Sequence, residues 1–455
     1  MKVLLIASNT TSSPYPVFPL GVSIISGVLR GAGHDVAFFD LLESGGSLER
    51  LGALIGEKSP EIIGISIRNI DNVNSVNEER YIDLVKELVA HIRRLTGVPI
   101  VLGGSGFSIM PEEILEAVGA DYGIVGEGEL LMAEFVENAS RGVYPPERCL
   151  RSPVRVSGPE IPSAHYDPGI LEFYLKSGNM ASVQTKRGCR FGCMYCSYPF
   201  LEGARLRCRD PKAVVEDIKT LRDAHDARYI YFTDSVFNDS EGRYLEVLRE
   251  MRRSGVSIPW TAFFRPEGLD DESVALMKET GLRAAELGSD ASTDATLRGI
   301  GKSFRFDDVI ASNEVFVRHG IATAHFFMFG CPGETRETVL AGIENIKNLS
   351  HTVSFIFMGI RILPGTGLFE LARGEGVIAD SRELLAPVYY IAPGIGRDWL
   401  EGTLREAFSG VRHCVFPPDA LNGPLRMLHQ LGYSGALWEM LIPTGKRRRG
   451  RHGAR

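Results

Sequence analysis

Three cysteines, Cys189, Cys193 and Cys196, stand in the run Lys186-Arg-Gly-Cys-Arg-Phe-Gly-Cys-Met-Tyr-Cys-Ser197. The spacing is Cys-x3-Cys-x2-Cys, with Tyr195 just before the last cysteine. A loop this short can wrap three thiolates around one corner of a cubane iron–sulfur cluster, which takes thiolate ligands. A [4Fe–4S] cluster has four irons, so three ligands leave one iron open to a small molecule. Structural zinc is the competing chemistry. Zinc takes four closed ligands, commonly as two separated pairs. Cys208 or His225 could serve as a fourth, but no second pair exists. The cluster is the favoured reading.

The rest of the chain must position that loop. At 455 residues it has room for about three domains. Its 44% hydrophobic and 24% charged content suits a soluble globular protein. No apolar stretch approaches the ~20 residues that span a bilayer. The start, Met1-Lys-Val-Leu-Leu-Ile-Ala7, lacks the core and cleavage site of a signal peptide and reads as a first strand. Seven cysteines in this length do not suggest a disulfide framework. An oxygen-sensitive cluster implies a reducing cytoplasm. The net charge is −7, yet Lys446–Arg455 carries six positive charges. That run reads as a basic, disordered tail rather than a nucleic-acid surface.

Residues 1–140 alternate strand-like runs with helical spacing. Val3–Ala7, Asp35–Phe39, Ile62–Ile67, Ile100–Leu102 and Tyr122–Val125 read as strands, each followed by a helix. This pattern predicts a doubly wound parallel sheet, with its ligand at the carboxyl ends of the strands. Three loops fall there: Ser8–Phe18, Arg68–Asn72 and Gly103–Ser108. The turn Gly103-Gly-Ser-Gly106 lets backbone approach a ligand closely. It does not match the dinucleotide fingerprint G-x-G-x-x-G. Residues 141–180 are rich in Pro, Arg and Gly and read as a linker. From Ala181 strand–helix repeats resume, with strands at Tyr229–Thr233, Trp260–Phe264, Ala284–Leu287, Ala324–Phe329 and Ser354–Gly359. Six strands predict a partial (β/α)6 barrel over 181–368, with chemistry at the carboxyl strand ends. Residues 369–445 read as a smaller region covering the substrate, with 446–455 as the tail.

The cysteine loop behind a doubly wound domain resembles the cobalamin-binding radical S-adenosylmethionine (SAM) superfamily. Pro19-Leu-Gly21, Gly103-Gly-Ser-Gly106 and Val125-Gly-Glu-Gly-Glu129 look like that family too. The resemblance covers roughly residues 1–375. It implies a [4Fe–4S] cluster on Cys189, Cys193 and Cys196, with SAM chelating the open iron. It places Tyr195, Asp234, Gly288, Asp290 and Gly330 around SAM. Asp234, in Phe232-Thr-Asp-Ser-Val-Phe-Asn238, would take the SAM ammonium, and Asp290 stands where a ribose-contacting Glu is usual. Glu334, in Gly333-Glu-Thr335, would cap the following helix. The same resemblance places Arg68, Asn69, Gly103, Gly104, Ser105, Gly106, Gly126 and Glu127 around cobalamin. Many cobalamin domains carry a histidine after the first strand that binds cobalt from below. Here that loop is Ser8-Asn-Thr-Thr-Ser-Ser-Pro14 and has none. Arg68 is the candidate for the lower face; the alternative is that it simply pairs with Asp71 or Asp40.

The implied activity is methyl transfer from SAM, via methylcobalamin, to an unactivated carbon of a small-molecule substrate. A cobalamin-dependent cyclase or rearrangement enzyme without net methylation is the alternative. Methylthiotransferases carry extra cluster cysteines in the first domain; here Cys149, in the linker, is the only cysteine before the loop. An external electron donor such as flavodoxin or ferredoxin is the implied partner.

Overall fold

The computed structural model describes residues 1–12 and 15–442. The basic run 446–455, expected to be disordered, lies outside the described residues. Val3–Ala7 is buried throughout, as befits a strand covered by helices on both faces. The first sheet holds Lys2–Ala7, Asp35–Asp40, Ile62–Ser66, Ile100–Gly103, Tyr122–Val125 and Cys149–Arg151. Numbered along the chain, these strands lie in the order 2-1-3-4-5-6, all parallel. The direction of winding reverses between the first and third strands, so a crevice opens beyond their carboxyl ends.

The sixth strand corrects the expectation of a plain linker over 141–180. Cys149–Arg151 extends the first sheet, and Pro168–Lys176 is a helix. Three residues carry too little periodicity to be read as a strand from sequence. The helix begins on Asp167, which accepts hydrogen bonds from the Gly169 and Ile170 amides, with Pro168 in the first turn. The Tyr174 hydroxyl donates to buried Asp40 at 2.8 Å, and the Tyr166 hydroxyl donates to the Ser182 carbonyl at 3.0 Å. The segment thus fastens both sheets.

The second sheet contains the six expected strands, Met180–Val183, Tyr229–Phe232, Trp260–Phe264, Leu282–Asp290, Ala322–Phe329 and Thr352–Met358. They neighbour one another in chain order, all parallel. Cys414–Val415 adds a seventh beyond Thr352–Met358. One apolar core runs from Ile63 and Leu102 of the first sheet through Met110 to Phe329 and Met358 of the second. Asp71 and Arg361 cross the same boundary as an ion pair at 2.8 Å, with both side chains 2% exposed. Such a pair holds only if the remaining donors are also satisfied. Arg361 meets this by donating to the Ile362 and Leu384 carbonyls. Among the described residues, no helix is long and apolar enough to cross a membrane.

Candidate functional site

The cysteine loop is shaped by crowding. Gly188 sits at φ +95°, and a Cβ there would lie 2.0 Å from the Arg205 carbonyl oxygen. Only glycine fits. Lys186–Arg187 pairs antiparallel with Arg207–Cys208, and the Gly188 amide donates to Glu202 at 3.0 Å. From outside, the Met194 amide donates to the Ile300 carbonyl, and the Leu368 amide donates to the Met194 carbonyl. Cys189 is buried, while Cys193 and Cys196 are half-buried, and all three are free thiols. Burial, with Cys193 and Cys189 alongside, pushes the Cys196 thiol up to about 12. Burial and the neighbouring Cys193 also raise Cys189. The three thiols therefore lie within one another's field. Among the described residues, no three His, Cys, Asp or Glu side chains form a single-ion site. A cubane asks for something else, one thiolate on each of three irons. The loop chemistry fits that group.

Asp234 requires a correction. It does not face the loop's open side as an ammonium acceptor. Its Oδ1 accepts from the Thr185 amide at 2.7 Å and the Lys186 amide at 3.3 Å. Its Oδ2 accepts from the Thr185 hydroxyl at 2.5 Å and from Lys186 Nζ at 3.3 Å. Lys186 also reaches Asp239 at 3.4 Å and donates to the Phe237 carbonyl at 2.7 Å. The side chains of Asp234 and Lys186 are 0% and 3% exposed. Asp234 thus anchors the strand that feeds the cysteine loop.

Tyr195 and Asp290 do come together beside the cysteines. Asp290 takes φ +63°, unusual for a non-glycine residue, at an irregularity in its strand. It accepts a hydrogen bond from the Tyr195 hydroxyl and pairs with Lys302. Lys302 Nζ stands 5.6 Å from the Tyr195 ring centroid, close enough for cation–π attraction. Its charge opposes the upward push that burial gives Cys189 and Cys196. Sequence reasoning missed Lys302; the only local signal was a cation directly after Gly301, which packs against the Gly192 carbonyl. Gly288 is half-exposed near Asp290, and its site would give a Cβ only ordinary contacts. Gly330 takes φ +93° and its amide donates to Glu334. Glu334 also accepts from the Cys331 amide at 3.0 Å. It pins its own turn, and Thr335, not Glu334, caps the next helix.

A cavity of about 390 Å³ lies at the winding reversal of the first sheet. One wall is Ser8, Arg68, Gly103, Gly104, Ser105, Ser108 and Gly126. The facing wall is Tyr198, Leu201, Tyr231 and Thr233 of the second unit. Small residues and backbone on one side, with rings on the other, suit a flat macrocycle such as a corrin. Among the described residues, none that lines the cavity is a histidine. Arg68 is exposed to it, and its charge opposes the rise that burial imposes on the Tyr198 and Tyr231 hydroxyls. Asp71 is engaged by Arg361 and Asp40 by Tyr174, and no carboxylate pairs with Arg68 among the described residues. The simple ion-pair alternative for Arg68 therefore falls.

Other expected contacts divide. Asn69 and Gly106 do not line the cavity; a Cβ on Gly106 would lie 3.0 Å from the Asn69 backbone. Glu127 lines it but is bound to Arg207 and lies 3.7 Å from Arg187, so it clasps the two units. Gly104 lines it at φ +98°, and a Cβ there would stand 2.5 Å from the Ile67 carbonyl oxygen. The glycine is demanded by the adjacent loop, not by a ligand's approach alone. Gly104→Ala is expected to strain this turn by about 1–3 kcal/mol and to lower cobalamin occupancy, read by absorbance. Iron content should stay at the wild-type level; equal loss of both would mean general unfolding.

Residues 7–136 match the profile of the B12 binding domain, and residues 183–346 match the Radical SAM superfamily. Tryptophan 2-C-methyltransferase of Streptomyces laurentii is 25% identical over 432 residues, covering 78% of this chain and 72% of that protein. An uncharacterized methyltransferase of Pyrococcus horikoshii is 27% identical over 398 residues, covering 83% and 84%. Among solved structures, the radical SAM methyltransferase TsrM of Kitasatospora setae, with tryptophan substrate and a SAM analogue bound, is similar at TM-score 0.85 and 25% identity. It covers 97% of this chain and 98% of that one.

Proposed function

The chain belongs to the cobalamin-binding radical SAM superfamily, and we propose that it moves a methyl group from SAM, by way of cobalamin, to a carbon of a small-molecule substrate. The observation that carries this reading is the cavity whose two walls come from the B12-binding and radical SAM units, with the cysteine loop beside it. When bound, the [4Fe–4S] cluster, SAM and cobalamin supply the electron, the methyl group and its relay. The protein's own part is to hold and orient. Cys189, Cys193 and Cys196 hold the cluster. Tyr195 and Lys302 fix Asp290 at its strained position beside the cysteines, where it would help to hold SAM. Ser8, Gly103, Gly104 and Ser105 give cobalamin a close backbone floor. The Glu127 clasp to Arg207 and the buried pair of Arg187 with Glu129 at 2.5 Å close the seam and exclude water. Holding reactants in one geometry is a large part of what such a site contributes.

Tryptophan, the substrate in the similar TsrM structure, is the first compound to test. An external reductant such as flavodoxin or ferredoxin is the proposed electron source, in a reducing cytoplasm. The test is anaerobic turnover of reconstituted protein with SAM carrying a deuterated methyl group. A product with the label on carbon supports methyl transfer. A ring-closed or rearranged product without label would overturn it in favour of cyclase chemistry.

Arg68, exposed to the cavity, is proposed to meet bound cobalamin and would discourage coordination of the cobalt by a protein nitrogen. Arg68→Ala should keep cobalamin bound yet slow methyl transfer at least about tenfold, as loss of a placed charge commonly does. Arg68→Lys should restore part of the rate. Nitrogen superhyperfine splitting in the EPR spectrum of the wild-type cob(II)alamin form would contradict this placement.

A further inference from the structure

His325 is an ionisable side chain that the reaction has not used, and it is 0% exposed. Burial pushes it down to about 3, so the ring is neutral and carries one proton. Its neighbours decide which nitrogen holds that proton. Asn313 Nδ2 donates to the Ser350 carbonyl at 3.0 Å, which fixes the orientation of the amide. Its Oδ1 therefore accepts, from the Thr323 hydroxyl at 2.6 Å and from His325 Nε2 at 3.2 Å. With Nε2 protonated, Nδ1 is left as an acceptor. The Ser289 hydroxyl stands 2.7 Å from it and donates. The chain of bonds thus runs one way, from Ser289 through His325 to Asn313. Ser289, Thr323 and Asn313 are buried as well, so water does not compete for these bonds.

This chain ends beside the strained residue of the site. Ser289 precedes Asp290, whose φ of +63° falls where its strand loses register between Leu287 and Asp290. A non-glycine residue persists in such a conformation only when its surroundings hold it there. On the side of the cysteine loop, Tyr195 and Lys302 hold the Asp290 carboxylate. On the core side, His325 holds the residue before it, through the Ser289 hydroxyl. The His325 ring also lies nearly parallel to that of Phe327 at 5.7 Å, and Phe327 is the partner of Asp290 on the next strand. Asn313 belongs to the helix Phe306–Arg318, and Lys302 lies in the turn that leads into it. One helix and its lead-in therefore brace Asp290 from both sides.

We propose that His325 is a positioning residue: through Ser289 it holds the strand irregularity that keeps Asp290 beside the cysteines, where Asp290 would help to hold SAM. That Asp290 meets SAM rests on the methyltransferase reading. His325 touches no reacting group, so its loss is read in how tightly SAM is held.

The test is calorimetric titration of cofactor-loaded protein with SAM, without reductant so that nothing turns over. His325→Phe keeps a ring against Phe327 and deletes both hydrogen bonds. It should weaken SAM binding at least about tenfold, as loss of a contact behind a binding group commonly does, with iron and cobalamin content unchanged. His325→Asn, whose side-chain oxygen can stand near the place of Nδ1, should recover part of the affinity. Asp290→Ala should weaken SAM binding too. Adding His325→Phe to it should cost less than about twofold more, because residues that act through one another do not add. If His325→Phe does not fold, Ser289→Ala, which cuts the same link at its other end, replaces it. SAM bound by His325→Phe as tightly as by wild type would overturn the proposal. So would an undiminished further loss in the Asp290→Ala background, the mark of general loosening. Asp290→Ala without effect would show that SAM is held elsewhere, and the proposal would fall together with the reading beneath it.

Discussion

Replacing Cys189, Cys193 and Cys196 together with Ala is expected to give a chain without iron and without the cluster's brown absorbance, against about four irons per chain in wild type. Turnover with SAM should vanish. Cobalamin should remain bound, because none of the three cysteines lines the cavity between the units. That separation makes the result informative. A variant that loses cobalamin as well would show that the cysteine loop holds the seam together. A wild-type protein that purifies with zinc and no iron, and is active, would sink the cluster assignment.

Asp234→Ala is the second large effect. It removes one carboxylate from buried Lys186 and takes the acceptor from the Thr185 and Lys186 amides. Removing one partner of a buried ion pair costs about 3–5 kcal/mol, softened here because Asp239 still lies 3.4 Å from Lys186. Chemical denaturation should show this loss, and iron content should fall with it, since Lys186 leads directly into the cysteine loop. Asp234→Asn should be milder, because one amide acceptor survives. If Asp234→Ala kept its stability and iron but lost SAM affinity, the carboxylate would face the cofactor after all.

The cysteine loop, the alternation of strands and helices and the glycine turn after Leu102 were legible because each is local. Their meaning lies within a dozen residues or fewer. Asp234 was misread for the opposite reason. Its fate depends on Lys186, 48 residues earlier, and sequence gives no sign which carboxylate a buried lysine will choose. Lys302 escaped notice because its target, Asp290, is reached only after a short helix and a turn. His325 gathers Ser289 and Asn313 from two other elements. Cys149–Arg151 and Cys414–Val415 were invisible as strands, because two or three residues show no period.

The cavity between the units has a consequence in time. One wall ends at Met132, while the other runs from Gln184 to Thr233. The first wall therefore leaves the ribosome before the second exists. About a hundred residues separate their completion, which at 5–20 residues per second amounts to roughly 5–20 s. During that interval the crevice of the first sheet stands open on one side. Once the barrel strands form, a corrinoid must enter through the gap that remains. Vitamin supplied while the chain is being made has a wider door than vitamin added to the finished protein.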